Sequence, residues 1–282
     1  MGDGPVNPIR RGVDRVGALL PCGWRDFWLQ AAIFWSYFIA YEAARTLAAN
    51  DRYLAMRNAL DVLRAQQDLG ILWERSVQAW AIDAPGVVMQ VMNWTYVHCQ
   101  FTITYALVMF IYFRRNHAFA FVRNVLMATS FAALIGYIML PTAPPRMMGG
   151  LGFVDTLQQV SVNHQSGIVA WFANPYAAMP SLHTAYAVII GAAGVLVFAN
   201  PLLRAFWALY PVVVVLSIVT TGNHWLLDAM AGAFLALFAM VFAFALSRGR
   251  IPTLASARPA TAFSSGAPPV LTGAEAPVPQ RA

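Results

Sequence analysis

The chain contains no lysine; all 18 of its basic residues are arginine. No site in it can use an ammonium side chain, so any fixed positive charge has to be a guanidinium. Charge of either sign is scarce. Charged residues make up 11% and hydrophobic residues 59%, whereas soluble domains carry about 25% charged residues. That balance excludes an ordinary soluble domain and reads as an integral membrane protein. A net charge of +6 would point to nucleic acid in a soluble chain. Here the arginines lie at segment ends and loops, where orientation in a membrane accounts for them and no nucleic-acid partner is expected. The two cysteines, Cys22 and Cys99, form neither a disulfide framework nor a metal motif.

What is present is a series of apolar runs. A span needs about 20 apolar residues, and the candidates are 27–44, 88–112, 121–140, 183–199, 206–221 and 227–246. The expected fold is all-α: a six-transmembrane-helix bundle with an amphipathic helical segment between spans one and two. That segment, 45–84, carries five arginines against Asp51, Asp61, Asp68, Glu74 and Asp83. Its apolar residues recur through Leu69, Leu72, Trp73, Val77, Trp80 and Ala81, so it reads as a helix lying on the membrane or docked on the bundle. Residues 1–26 are polar and Arg-containing, and the first apolar run, near Phe27, lacks a small-residue cleavage site. They read as a cytoplasmic segment ahead of an uncleaved anchor. The membrane domain is expected over 27–250, and 251–282, rich in Pro, Ala and Ser, as a disordered tail.

Arginine also sets the orientation. Arg10, Arg11, Arg15 and Arg25 precede span one; Arg114, Arg115 and Arg123 follow span two; Arg204 follows span four; Arg248 and Arg250 follow span six. Six spans put all of these on one side, which the positive-inside rule makes cytoplasmic. Segment 45–84, loop 141–181 and the turn near residue 224 then face the outside. A bacterial plasma membrane is the expected setting.

Two histidines lie in that outer region. His183 closes Met179-Pro-Ser-Leu-His183, and His224 heads His224-Trp-Leu-Leu-Asp228. Asp228 is one helical turn from His224, on the same face, where a carboxylate can hold an imidazole in one tautomer and stabilise its cation. Alone, such residues more often serve packing; it is the pairing of the motifs that favours phosphoryl transfer through a phosphohistidine. Ser181 is placed to cap the helix that starts at His183, whose free amides would favour an anion. Between Asn124 and Leu203 the only basic side chain besides histidine is Arg146, in Pro144-Pro-Arg146. A planar, always-charged fork there suits a phosphate.

Arg146 after two prolines, Pro180-Ser-Leu-His183, and His224-x-x-x-Asp228-x-x-Ala231-Gly232 occur in this order at span boundaries. The arrangement resembles the type-2 phosphatidic acid phosphatase superfamily, and most nearly its inositol-phosphorylceramide-synthase-like (inositolphosphotransferase) branch, over roughly residues 60–246. The resemblance implies His224 as nucleophile, Asp228 as its orienter, His183 as the acid that protonates the leaving group, and Arg146 on the phosphoryl oxygens; Ser181, at the helix start, is expected beside them from its capping position. Two departures stand out. The phosphatase branch has a Ser-Arg pair where this chain reads Ser217-Ile218, and a lysine that this chain cannot supply. Both move the reading toward a headgroup transferase acting on lipid phosphates, with lipid or polyprenyl phosphate phosphatase as the alternative. A proton-coupled transporter using the His–Asp pair is the rival of another class. The expected partners are a lipid-phosphate substrate and membrane lipids; the oligomeric state is left open. No cofactor and no metal is implied, since a hard cation wants several carboxylates. His98 is expected as a hydrogen-bonded structural residue or a cavity lining, His117 as polar surface, and His164 as part of a covering loop, 147–175.

Overall fold

The computed structural model describes residues 17–47, 51–159 and 176–247. The apolar runs are helices, because within hydrocarbon a helix satisfies its backbone groups inside its own segment. In chain order they are α1 (Gly23–Leu47), α2 (Arg52–Asp68), α3 (Glu74–Asp83), α4 (Gly86–His98), a π-turn (Cys99–Ile103), α5 (Thr104–Arg114), α6 (Asn116–Met139), α7 (Leu182–Val197), α8 (Pro201–Thr220) and α9 (Leu226–Leu246). Among the described residues there is no strand, only an isolated parallel bridge between Thr142 and Ala177. The tail expected over 251–282 and the loop histidine His164 lie outside the described residues.

Among the described residues four helical stretches, not the expected six, are long and apolar enough to cross a membrane: Gly86–Arg114, α6, α8 and α9. The shortfall has two causes. α7 is apolar but only 16 residues long; at 1.5 Å per residue it reaches about 24 Å, short of a hydrocarbon core of about 30 Å. It is wrapped by α6, α8 and α9 and most of its side chains are buried. Its neighbours come very close. A Cβ on Gly194 would lie 2.2 Å from the Trp207 ring, and one on Gly191 2.9 Å from the Trp207 carbonyl, the small-residue contact that lets helix backbones approach. α1, at 25 residues, is long enough but diluted by Asp26, Gln30, Glu42, Arg45 and several Trp and Tyr.

Side-chain contacts fix the two ends of the bundle. Cys22 Sγ donates to Asn116 Oδ1 and Tyr112 Oη to Asp26 Oδ2, which puts the start of α1 beside the α5–α6 junction. Arg25, Arg114, Arg115 and, at the start of α8, Arg204 therefore belong to one end. Loops 140–152, 176–181 and 221–225 belong to the other.

The amphipathic segment is docked at that second end. Asp51 caps α2 by accepting from Leu54 N at 3.0 Å, and Gly70, at φ +69°, turns the chain after it. α2 buries Ala55, Ala59, Val62 and Gln66, spaced as one helical face. With Ala143, Met148, Phe153 and Trp225, the apolar members of that face form a small core separate from the bundle's own. The expected stripe splits: Leu72, Val77 and Ala81 pack on the protein. Leu69, Trp73 and Trp80 are exposed, and the buried face of α3 is Glu74, Gln78 and Ala81. In a membrane protein the outward face can be the apolar one, and the tryptophans are in place for an interface.

Candidate active site

Three loops meet where α7 and α9 begin. The parallel bridge ties the first two: Thr142 N donates to Tyr176 O at 2.8 Å and Ala178 N to Thr142 O at 3.3 Å. Arg146 N donates to Gly222 O at 2.8 Å and ties the first to the third. Trp225, fully buried, donates its indole N–H to Ala143 O at 2.9 Å. α2 holds the first loop from outside, through Ala143 N to Ala55 O at 3.1 Å and Asn58 Nδ2 to Pro141 O at 2.8 Å.

This clamp brings the two motif histidines together. His224 Nε2 lies 3.3 Å from His183 Nδ1, with ring centroids 5.3 Å apart. His224 is 5% exposed, whereas His183, in the first turn of α7, is half-buried and stacks on the Tyr96 ring at 4.6 Å. His224 Nδ1 is 3.0 Å from the Ala178 carbonyl and 3.5 Å from Asp228 Oδ2. A carbonyl oxygen only accepts, so Nδ1 carries the proton and the Nε2 lone pair points at His183. His183 Nδ1 is then the donor of that pair.

Asp228 is fully buried, and its Oδ2 accepts from Trp225 N at 2.8 Å, closing the first turn of α9. The expected His–Asp pairing is therefore present at ion-pair distance, with the Ala178 carbonyl as the nearer partner of the ring. Sequence reasoning missed that carbonyl because a backbone acceptor leaves no side-chain signature. Ser181 caps α7, its Oγ accepting from Thr184 N at 3.3 Å, and its own N–H donates to Asp228 O at 3.0 Å. Gly232 permits this contact between α7 and α9: a Cβ there would lie 2.2 Å from the Ser181 carbonyl oxygen.

Arg146 reaches the same loop. Its Nε donates to Asn223 Oδ1 at 2.8 Å, next to His224 in sequence, and its Nη1 is 3.7 Å from Asp155 Oδ2. Asn223 is fixed in turn by the Thr221 hydroxyl at 2.9 Å. Asn223 and Asp155 were not singled out from sequence, Asp155 because it lies nine residues from its partner in an irregular loop. Ile218, where a second arginine was missed, is fully buried in the apolar core; its carbonyl accepts from Asn223 N at 3.0 Å and His224 N at 3.2 Å. His98 hydrogen-bonds Thr102 at 3.1 Å and lies against Trp94. His117 is exposed. Among the described residues no three His, Cys, Asp or Glu side chains gather as a metal site.

A buried ring with a lone pair aimed at a second ring, beside a guanidinium and a helix N-terminus, can attack an electrophile and protonate its leaving group. A family model described as the PAP2 superfamily matches residues 60–242. That range takes in both histidine motifs and Arg146, together with most of α2 and all of α3. No curated protein and no solved structure matches the chain.

Proposed function

The chain belongs to the PAP2 superfamily, a family of membrane phosphatases and phosphotransferases, and from that premise we propose that it transfers the phosphoryl group of a lipid phosphate, alone or with its headgroup, through a phosphohistidine at His224. The observation that carries the proposal is the tautomer. The Ala178 carbonyl holds the proton on Nδ1, which leaves Nε2 as the nucleophile.

In the first half, the Nε2 lone pair forms a bond to phosphorus and the bond from phosphorus to the departing alcohol oxygen breaks. His183, entering the step as an imidazolium, gives its Nδ1 proton to that oxygen and becomes the neutral ring. The phosphorylated ring is cationic while Nδ1 keeps its proton, and the Ala178 oxygen and the Asp228 carboxylate face that N–H. In the second half His183 takes the proton of an acceptor hydroxyl, whose oxygen attacks phosphorus and releases His224. Arg146 and the N-terminus of α7, capped by Ser181, hold the phosphoryl oxygens and gain strength as charge builds on them.

The 3.3 Å between the two ring nitrogens leaves no room for phosphorus. Substrate entry must part the rings, and half-buried His183 is the one with room to move. The acceptor is an alcohol rather than water on this reading, because the site lacks the lysine and the second arginine of the phosphatase branch and holds a free phosphomonoester less firmly. The site faces outward, supported by the arginine-rich opposite end of the bundle.

The test is the purified chain in mixed lipid micelles, with inorganic phosphate and lipid products followed together. A water-soluble inositol phosphate ester formed together with the freed lipid alcohol, and only when inositol is supplied, supports the transferase. Phosphate release with water as the sole acceptor replaces it with the phosphatase, and no turnover of any lipid phosphate rejects both.

A further inference from the structure

The first turn of a helix leaves backbone amides without intrahelical partners. In the turn that follows His224, three of them are met by side-chain oxygens. Asp228 Oδ2 accepts from Trp225 N, within the motif itself. The next two come from outside the bundle: Glu74 Oε1 accepts from Leu226 N at 2.7 Å, and Gln66 Oε1 from Leu227 N at 2.8 Å. Gln66 Nε2 also donates to Glu74 Oε1 at 2.6 Å, so one connected network joins α2, α3 and α9. Both side chains are 0% exposed.

Gln78, on the same buried face of α3, repeats the pattern on the neighbouring loops. Its Nε2 donates to Val154 O at 3.0 Å and Thr220 O at 3.1 Å, and its Oε1 accepts from Val154 N at 2.9 Å. Apolar residues at these positions would dock the two helices as well, because buried polar groups cost stability unless fully paired. What the polar ones add is direction. Glu74 and Gln66 bond the backbone between His224 and Asp228 directly, and Gln78 bonds the chain on either side, at Val154 and Thr220.

We infer that Glu74 and Gln66 are positioning residues for the reaction at His224. They hold the Leu226 and Leu227 amides so that the turn presents Nε2 at one distance from Ala178 and His183. The effect on turnover rests on the function proposed above; the effect on the turn does not. A displacement of about 1 Å at a reacting centre costs up to a hundredfold in rate, so a looser turn lowers kcat while substrate still binds through Arg146.

The experiment compares the full-length wild type with Glu74→Leu, Glu74→Gln and Gln66→Met. Turnover is measured on phosphatidic acid micelles with inositol present, alongside amide hydrogen exchange over residues 222–230 and the thermal midpoint. Glu74→Leu should expose Leu226 and Leu227 to faster exchange and lower kcat by about tenfold or more, with KM changed by less than about twofold. Glu74→Gln keeps a carbonyl acceptor and should stay within about threefold of wild type. If Glu74→Leu does not fold, Gln66→Met carries the same expectation at Leu227. Unchanged exchange and kcat in a folded Glu74→Leu or Gln66→Met overturns the inference, as does a Glu74→Gln protein as impaired as Glu74→Leu. If the wild type turns over none of the lipids, the functional reading fails, and the exchange result still decides whether these side chains hold the turn.

Discussion

At the scale of residues, the account depends on which nitrogen of His224 is free. The Ala178 carbonyl settles it locally, 3.0 Å from Nδ1. His224→Ala should remove all turnover while leaving a folded, membrane-inserted protein, checked by assay and thermal midpoint together. Asp228→Asn retains an oxygen that can accept from Trp225 N, so the α9 turn should survive. It loses the charge opposite a cationic ring, and kcat should fall by roughly tenfold to a hundredfold; an unchanged kcat would leave Asp228 with the cap alone. Arg146→Lys keeps a charge but cannot reach Asn223 and Asp155 at once as the fork does. A loss of about tenfold to a hundredfold in kcat/KM is expected, and full activity in Arg146→Ala would remove the phosphate from this position. The histidines, Asp228 and Arg146 were legible because ionisable groups beside apolar runs stand out. Ala178 and Asn223 were not, since a carbonyl and a neutral amide carry no such contrast.

Among the elements, α9 is the one whose placement matters most. It starts between Glu74, Gln66 and Ser181, and Gly232 lets it lie against the Ser181 backbone. Gly232→Ala forces a Cβ to within 2.2 Å of the Ser181 carbonyl oxygen unless α7 and α9 part. It should lower stability by about 1–3 kcal/mol, the usual cost of overpacking, and reduce turnover with it. Gly150→Ala, with nothing within 4 Å of the new Cβ, is the control expected to melt like wild type. The long helices were readable from apolar runs. The two that do not qualify as spans, α1 and α7, show what a run cannot tell: α1 is long but diluted by polar residues, and α7 is apolar but only 16 residues long and covered by its neighbours. Around α3 the apolar stripe was read as one face lying on the membrane or docked on the bundle; Leu72, Val77 and Ala81 pack inward beside the polar Glu74 and Gln78, while Leu69, Trp73 and Trp80 are exposed. The clue was Glu74 and Gln78 one helical turn apart, a polar pair that a soluble protein would turn to water.

For the whole molecule, the start of α1, the α5–α6 junction and the start of α8 lie at the end of the bundle away from the site, which makes orientation testable with a single probe. A cysteine at exposed Gly150, in a chain with Cys22 and Cys99 replaced, should react with a membrane-impermeant thiol reagent in intact cells. Labelling of the folded protein only after lysis would reverse the topology. Charge on the substrate is carried in this account by Arg146 and a helix N-terminus, so turnover should survive excess chelator in dispersed lipid. Activity lost with chelator and restored by one divalent ion would require a different scheme.

The central claim is a covalent intermediate on His224, and trapping it is the most direct measurement. Purified wild-type chain is mixed with the lipid it turns over, quenched within a turnover under alkaline conditions that preserve phosphoramidate bonds, digested, and the peptide containing His224 examined by mass spectrometry. The account predicts that this peptide gains the mass of a phosphoryl group, alone or with its headgroup, at His224, and that the His183→Ala protein, lacking the acid of the first half and the base of the second, both gains and loses the modification more slowly. Full turnover with His224 unmodified at every quench time would contradict it.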